Sequence, residues 1–129
     1  MKKLLLSLAM VGLFATANAQ DAAKAPVKSA NDRAIEQTQK ASKQLGLSVE
    51  QESKFKNLAL ARNTSIEACH NKAKASTDKA VKQAARAEAK SIRDKFNTDV
   101  NAILTPEQQT KWAAHVKKME EKRAADQQD

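Results

Sequence analysis

The same helix-start pattern occurs twice in this chain. One copy reads LSVEQESKF from residue 47, and the other reads LTPEQQTKW from residue 104. Each has a Ser or Thr followed three residues later by Gln, which is the spacing of a capping box. In that motif the hydroxyl and the glutamine side chain each accept a hydrogen bond from the backbone N–H of the other residue. Two helices are therefore predicted to begin here. The predicted structural helix caps are Ser48, Gln51, Thr105 and Gln108.

The first 19 residues have the three parts of a secretory signal peptide. Residues 1–3 include two lysines, residues 4–15 are almost wholly apolar, and residues 17–19 form a small-x-small cleavage site. The apolar run is shorter than the roughly 20 residues that a membrane-spanning helix needs. We therefore expect export to the periplasm, removal of residues 1–19, and a soluble mature protein without a membrane span.

Bulky apolar residues are scarce in the rest of the chain. Only 18 of the 110 residues after position 19 are Leu, Ile, Val, Phe, Trp or Met, so a thick globular core is excluded. The same stretch has one Gly and two Pro and is rich in Ala, Lys, Glu, Gln and Arg, which lose little on entering a helix. Long, thin helices fit both facts. Because such helices are marginal unless an apolar face is covered, we expect a homodimer in which helices also pack between chains.

We predict one small all-α domain of four helices at residues 31–123. A flexible leader at residues 20–30 precedes it, and a disordered tail at residues 124–129 follows it. The Asn-Asp pair that opens the domain is predicted to cap its first helix, and Gly46 is predicted to end that helix.

The second and third predicted helices, at residues 49–75 and 79–104, are nearly equal in length. The Ser-Thr-Asp sequence at residues 76–78 is the only break signal between them. We place a turn there, with Thr77 or Asp78 capping the third helix, and expect the two helices to form a long antiparallel hairpin. Because neither Gly nor Pro enforces the turn, one uninterrupted helix through this segment is the alternative.

These features resemble one known family. The signal peptide, the short basic helical chain and the two L-[ST]-x-x-Q motifs, LSVEQ at 47–51 and LTPEQ at 104–108, are similar to the LTxxQ-motif family of periplasmic proteins, which includes Spy/CpxP-like chaperones. The resemblance covers residues 31–123, and Ser48 stands where that family usually has Thr. It implies an all-helical, cradle-like, antiparallel dimer that holds unfolded or misfolded envelope proteins without ATP.

The resemblance favours an ATP-independent periplasmic chaperone or an envelope-stress accessory protein. Relatives in that family have two other roles, which stay open as alternatives: metal binding or metal sensing, and modulation of an envelope-stress sensor kinase. Export argues against nucleic acid as the partner of these basic helices.

A positive surface is concentrated in the predicted hairpin. The chain has 23 Lys and Arg residues against 15 Asp and Glu residues. Basic side chains attract acidic segments rapidly and loosely, and neighbouring apolar side chains hold apolar segments, which suits transient client binding. The alternative interpretation is a solvated charged surface that only keeps the protein in solution. The candidate client-binding residues are Arg62, Ile66, Lys72, Lys82, Arg86 and Arg93.

Cys69, His70 and His115 are weak candidates for metal ligands. A metal site needs three or four converging ligands, and these residues have no recognised zinc spacing, so we predict no metal and no cofactor. Cys69 is predicted to be either a small buried residue or one half of an intersubunit disulfide. Neighbouring helical positions point about 100° apart, so Cys69 and His70 are not a nucleophile and its base. With no other catalytic pattern, the protein is predicted not to be an enzyme.

Overall fold

The computed structural model describes residues 26–127, which form four α-helices and no β-strand. The helices are α1 (Ala30–Leu45), α2 (Val49–Ala75), α3 (Lys79–Ile103) and α4 (Pro106–Asp126). The prediction of an all-helical protein with four helices is therefore confirmed. The predicted signal peptide, the first part of the predicted leader and the last two residues of the predicted tail lie outside the described residues. Within the described range, no helix is both long enough and apolar enough to cross a membrane.

Both copies of the repeated pattern begin a helix. The Ser48 hydroxyl accepts a hydrogen bond from the N–H of Gln51, and the Thr105 hydroxyl accepts one from the N–H of Gln108. Each glutamine side chain also accepts a hydrogen bond from the N–H of its own capping residue, at 2.9 Å in α2 and 3.0 Å in α4. Pro106 takes the first helical position of α4, where its missing N–H removes no helical hydrogen bond.

The first helix begins one residue before the predicted start of the domain. Its N-cap is Ser29, whereas the Asn31-Asp32 pair lies inside the helix. The Ser29 hydroxyl accepts from the N–H of Asp32 at 3.1 Å, and the Asp32 carboxylate accepts from the N–H of Ser29 at 3.3 Å. Because this capping box satisfies two backbone donors at once, Ser29 starts the helix. The helix ends at Gly46, which has φ 67° and donates its N–H to the carbonyl of Ser42.

Residues 76–78 are not helical and separate α2 from α3. The second helix ends at Ala75, and Asp78 caps the third helix by accepting a hydrogen bond from the N–H of Ala80 at 2.8 Å. The N–H of Asp78 donates to the Ser76 hydroxyl at 3.1 Å. These side chains satisfy backbone donors at the helix start, so the alternative of one uninterrupted helix is wrong. The fourth helix continues to Asp126, so the first three residues of the predicted tail are helical.

The core is centred on three aromatic rings. Phe55 of α2, Phe96 of α3 and Trp112 of α4 meet edge to face, with centroid separations of 5.7, 5.9 and 6.1 Å. Edge-to-face contacts of this kind add to the free energy gained by burial. The second helix packs against both α1 and α3, whereas α4 contacts α1 and α3 less extensively. The core is otherwise built largely from small residues, and its buried alanines are Ala34, Ala41, Ala59, Ala85 and Ala89.

Candidate functional site

The two capping glutamines meet each other. The Gln51 Nε2 donates to Gln108 Oε1 at 2.8 Å and to the carbonyl of Ile103 at 3.0 Å. In return, the Gln108 Nε2 donates to Gln51 Oε1 at 3.2 Å and to the carbonyl of Gly46 at 3.1 Å. Each glutamine thus caps its own helix and binds the carbonyl that precedes the other motif. We name this pair the glutamine clasp.

The glutamine clasp joins the start of α2 to the start of α4. Gln108 is only 9% exposed, so its amide needs partners within the protein, and it finds them in the clasp. The sequence alone identifies both glutamines as caps but does not indicate their pairing, because a capping box is a local motif. The glutamine clasp therefore fixes the start of α2 relative to the start of α4.

Arg62 is held in a fixed orientation at the edge of the core. Its guanidinium lies 4.1 Å from the centroid of the Phe96 ring, which is a cation–π contact. Its Nη2 donates to Gln37 Oε1 at 2.7 Å and to Asn63 Oδ1 at 3.1 Å. Asn63 is 7% exposed and is anchored by donating to the carbonyl of Ala30 at 3.2 Å. Burial and neighbouring arginines lower the pKa of Arg62 to about 10, which leaves it charged at neutral pH.

The charges of two further arginines, Arg123 and Arg93, contribute to the lowered pKa of Arg62. Arg93 is one turn before Phe96 on α3, and Arg123 is three turns after Trp112 on α4. Both side chains belong to half-buried residues. Burial, and then the charge of Arg123, lower the pKa of Arg93. We call Arg62, Arg93 and Arg123 the arginine cluster.

The charge of Arg33 of α1 also contributes to the lowered pKa of Arg62. It is ion-paired with Glu67 at 2.7 Å. Neither Arg33 nor Arg123 was among the predicted binding residues, because the sequence does not show how the helices cross. The sequence does contain one indication that its arginines have a special role, since the chain has only five arginines against 18 lysines. Arginine is favoured where a cation must be held in a fixed plane.

The other four predicted client-binding residues lie outside the arginine cluster. Ile66 is half-buried, about one turn further along α2. Lys72 is exposed and pairs with Glu88 of α3 at 3.3 Å. Lys82 and Arg86 lie in the first turns of α3. Of the six candidates, Arg62 and Arg93 thus influence each other electrostatically, and the other four are distributed along α2 and α3.

The three weak metal candidates occupy different environments. Cys69 is 1% exposed, and burial, followed by the charge of Glu88, raises the pKa of its thiol. His70 is exposed on the same helix. His115 stacks on Trp112 with 5.2 Å between ring centroids, and burial lowers its pKa. Within residues 26–127, no group of three or more His, Cys, Asp or Glu side chains is arranged to hold a metal ion.

A shallow groove of about 390 Å³ lies between α3 and α4. Trp112 and Val116 are apolar parts of its wall. Trp112 is 6% exposed, and its indole N–H has no hydrogen-bond partner within the described residues. A buried donor without a partner costs about 1–3 kcal/mol, so this indole N–H lowers the stability of the core. The remaining lining residues are Asn97, Thr98, Asn101, Ala113, Lys117 and Glu120.

Comparison with known proteins places the chain in a family. A family model described as a domain of unknown function (DUF4890) matches residues 17–112, which is well over half of the chain. The chain belongs to the DUF4890 family. The DUF4890 match includes both copies of the repeated pattern and ends at Trp112. No curated protein and no solved structure matches the chain.

Proposed function

We propose that the protein is an exported, periplasmic chaperone that binds unfolded or misfolded polypeptides without ATP. The signal-peptide pattern of residues 1–19 and the two motifs that resemble those of the LTxxQ-motif family support this function. The observation that carries it is the groove between α3 and α4. Its apolar wall, which includes Val116, and its polar lining, which includes Asn97 and Asn101, match the side chains and backbone of an extended polypeptide.

The basic surface supports the same function. The formal net charge of the chain is +8. Lys82 and Arg86 form no ion pair within residues 26–127. Such cations attract acidic segments over a distance and release them readily, because exposed charges contribute more to association rates than to affinity. Rapid, reversible capture suits a chaperone whose clients leave without ATP.

We further propose that α2 and α3 form a long antiparallel hairpin and that two chains form a dimer. Phe55, early in α2, meets Phe96, late in α3, whereas Lys72, late in α2, pairs with Glu88 nearer the middle of α3. These contacts support the hairpin. Accessible apolar side chains such as Val81, which is 41% exposed, support the dimer. Sedimentation equilibrium measures the mass directly, and a monomer at every concentration would contradict the dimer.

An aggregation assay tests the chaperone function. A denatured acidic protein is diluted into buffer that contains a chelator, and light scattering is followed with and without the chaperone. We expect suppression at near-stoichiometric ratios. Ala113→Glu introduces a charge into the groove, and Ala114→Glu introduces the same charge at the next position, which does not line it. The first variant should lose suppression and the second should keep it.

The two possible failures of this assay are distinguishable. If the natural chain suppresses no aggregation at any ratio, the proposed chaperone function is wrong. If the natural chain is active and the Ala113→Glu and Ala114→Glu variants are equally active, the groove is not the binding site. Circular dichroism of both variants checks that each has kept its helices.

A further inference from the structure

The two halves of the chain meet through residues that are far apart in the sequence. The first half is α1 with α2 and the second half is α3 with α4, so each half contains one copy of the repeated pattern. The glutamine clasp joins the halves, and Phe55 of the first meets Phe96 and Trp112 of the second. Lys72 of the first half pairs with Glu88 of the second at 3.3 Å. None of these contacts requires that both halves belong to the same chain, so a second copy can supply either half.

The three residues between the halves contain neither Gly nor Pro. Ser76, Thr77 and Asp78 are residue types that a helix tolerates at a small cost, whereas Gly and above all Pro interrupt a helix. If residues 76–78 became helical, α2 and α3 would join into one helix of roughly 80 Å. The two halves of one chain would then lie at opposite ends of that helix and could not pack on each other. Each half would instead pack on the complementary half of a second copy.

The closed turn is capped incompletely. The cap residues after α1, α3 and α4 each donate their N–H to a carbonyl of the helix that they end, whereas Ser76 after α2 does not. Apart from its cap Asp78, the start of α3 has no acidic residue and begins with Lys79, although the positive end of a helix dipole favours an anion. A continuous helix pairs the last carbonyls of α2 with backbone N–H groups and removes both helix ends. These two features of the turn therefore favour its opening.

We propose that two copies of this chain exchange halves to form a dimer. The exchange presupposes the dimer and the hairpin proposed above. In the exchanged dimer, α2 and α3 of each chain form one continuous helix, and the glutamine clasp and the aromatic contacts form between chains. Val81 is 41% exposed and lies three residues after the turn, so it is placed to be covered where the two long helices cross. The exchange is a domain swap, which needs no new docking surface because it reuses the interface between the halves.

Substitutions in the turn affect the closed chain and the exchanged dimer in opposite directions. Thr77→Pro fits the closed turn, because Ser76 has φ −114° and ψ 142°, the conformation that a residue before proline prefers. The Thr77 N–H also donates no backbone hydrogen bond within residues 26–127. A proline at position 77 prevents a continuous helix. Combined Ser76→Ala, Thr77→Ala and Asp78→Ala substitutions remove the cap and favour the continuous helix.

Sedimentation equilibrium of the full chain measures the dimer in each variant. We expect Thr77→Pro to weaken the dimer by at least about 100-fold and the triple alanine variant to tighten it on the order of 100-fold, since two chains change per dimer. Asp78→Asn is the matched control, because asparagine caps a helix as well as aspartate does, and it should match the natural chain. Circular dichroism checks that every variant is helical.

Cross-linking shows whether the halves pair within one chain or between two. One chain carries Lys72→Cys and the other carries Glu88→Cys, and both carry Cys69→Ala so that the natural thiol does not react. The two are unfolded together, refolded and treated with a short bismaleimide. Because residues 72 and 88 pair across the two halves, a cross-link between chains requires exchanged halves. The Lys72→Cys chain refolded alone is the control, and it should give no cross-link.

The possible results separate the exchange from the proposed dimer. A cross-link between chains, together with a dimer that Thr77→Pro abolishes, supports the exchange. A dimer that persists in Thr77→Pro and gives no cross-link would overturn the exchange and leave the proposed dimer standing. If the natural chain and the triple alanine variant are both monomers at every concentration, the exchange and the dimer are both wrong, while the aggregation assay still tests the chaperone function by itself.

Discussion

Disruption of the glutamine clasp measures how strongly the two helix starts depend on each other. The comparison uses four proteins: the natural chain, Gln51→Ala, Gln108→Ala and the double variant. Gln44→Ala is the matched control, because Gln44 is exposed on α1 and its side chain forms no hydrogen bond within residues 26–127. If the clasp acts as a unit, the effects of the two substitutions will not add.

The hydrogen bonds give the expected magnitude. Each glutamine of the clasp takes part in four side-chain hydrogen bonds, and two of these join the glutamines to each other. At roughly 1 kcal/mol net per hydrogen bond, each single substitution lowers the free energy of unfolding by about 4 kcal/mol. The double variant loses six hydrogen bonds, so its loss is about 6 kcal/mol. The coupling between the two sites is therefore about 2 kcal/mol.

Urea unfolding followed by far-ultraviolet circular dichroism supplies these free energies. Gln44→Ala should change the free energy of unfolding by less than about 0.5 kcal/mol. If the double variant is unfolded in buffer, all proteins are measured in one fixed concentration of trimethylamine N-oxide, which raises their stability. A coupling below about 0.5 kcal/mol would mean that each glutamine caps only its own helix, and the clasp would then not link α2 to α4 energetically.

Three further predictions concern single residues. Gly46→Ala should lower the free energy of unfolding by about 1 kcal/mol, because Gly46 has φ 67° and an alanine is strained there. Gly46→Asn should recover part of this loss in the same urea assay. If neither variant were less stable than the natural chain, the backbone at residue 46 would not be strained by a side chain. Hydrogen bonds from Lys28 and then Lys40 lower the pKa of Glu36 from 4.5 to about 2. The stabilising contribution of Glu36 is therefore present above pH 4.5 and is lost as the pH falls towards 2. An NMR titration of Glu36 with a midpoint near 4.5 would contradict this prediction. Burial raises the pKa of the Cys69 thiol, so iodoacetamide should modify the folded protein on the order of 100-fold more slowly than the urea-unfolded protein, and equal rates would show that the thiol is accessible.

Helix boundaries were largely predictable because their signals are local. The Ser48 and Thr105 caps, the stop at Gly46 and the break before Asp78 each depend on a few consecutive residues. The Asn-Asp pair at residues 31–32 predicts a start of α1 that is two or three residues too late. Asp32 instead belongs to the capping box of Ser29. Here two adjacent cap signals competed, and the reciprocal pair of hydrogen bonds decided the outcome.

The candidate sites were less predictable, since they join residues that are far apart in the chain. The sequence identified Arg62 and Arg93 as basic residues of a binding surface, but it did not distinguish them from Lys82 or Arg86. The packing distinguishes Arg62 from them, because its guanidinium lies on the Phe96 ring and donates a hydrogen bond to Gln37.

By itself, the sequence determined a chain of four helices with a thin core, because capping residues, helix-favouring composition and scarce bulky side chains all act locally or on average. Only the tertiary structure decided which helix faces meet. The packing of small alanines and three aromatic rings sets the register of the helices. That register brings Gln51 to Gln108 and places Arg62 of α2 on the Phe96 ring of α3, since a contact between distant residues exists only once the helices have docked.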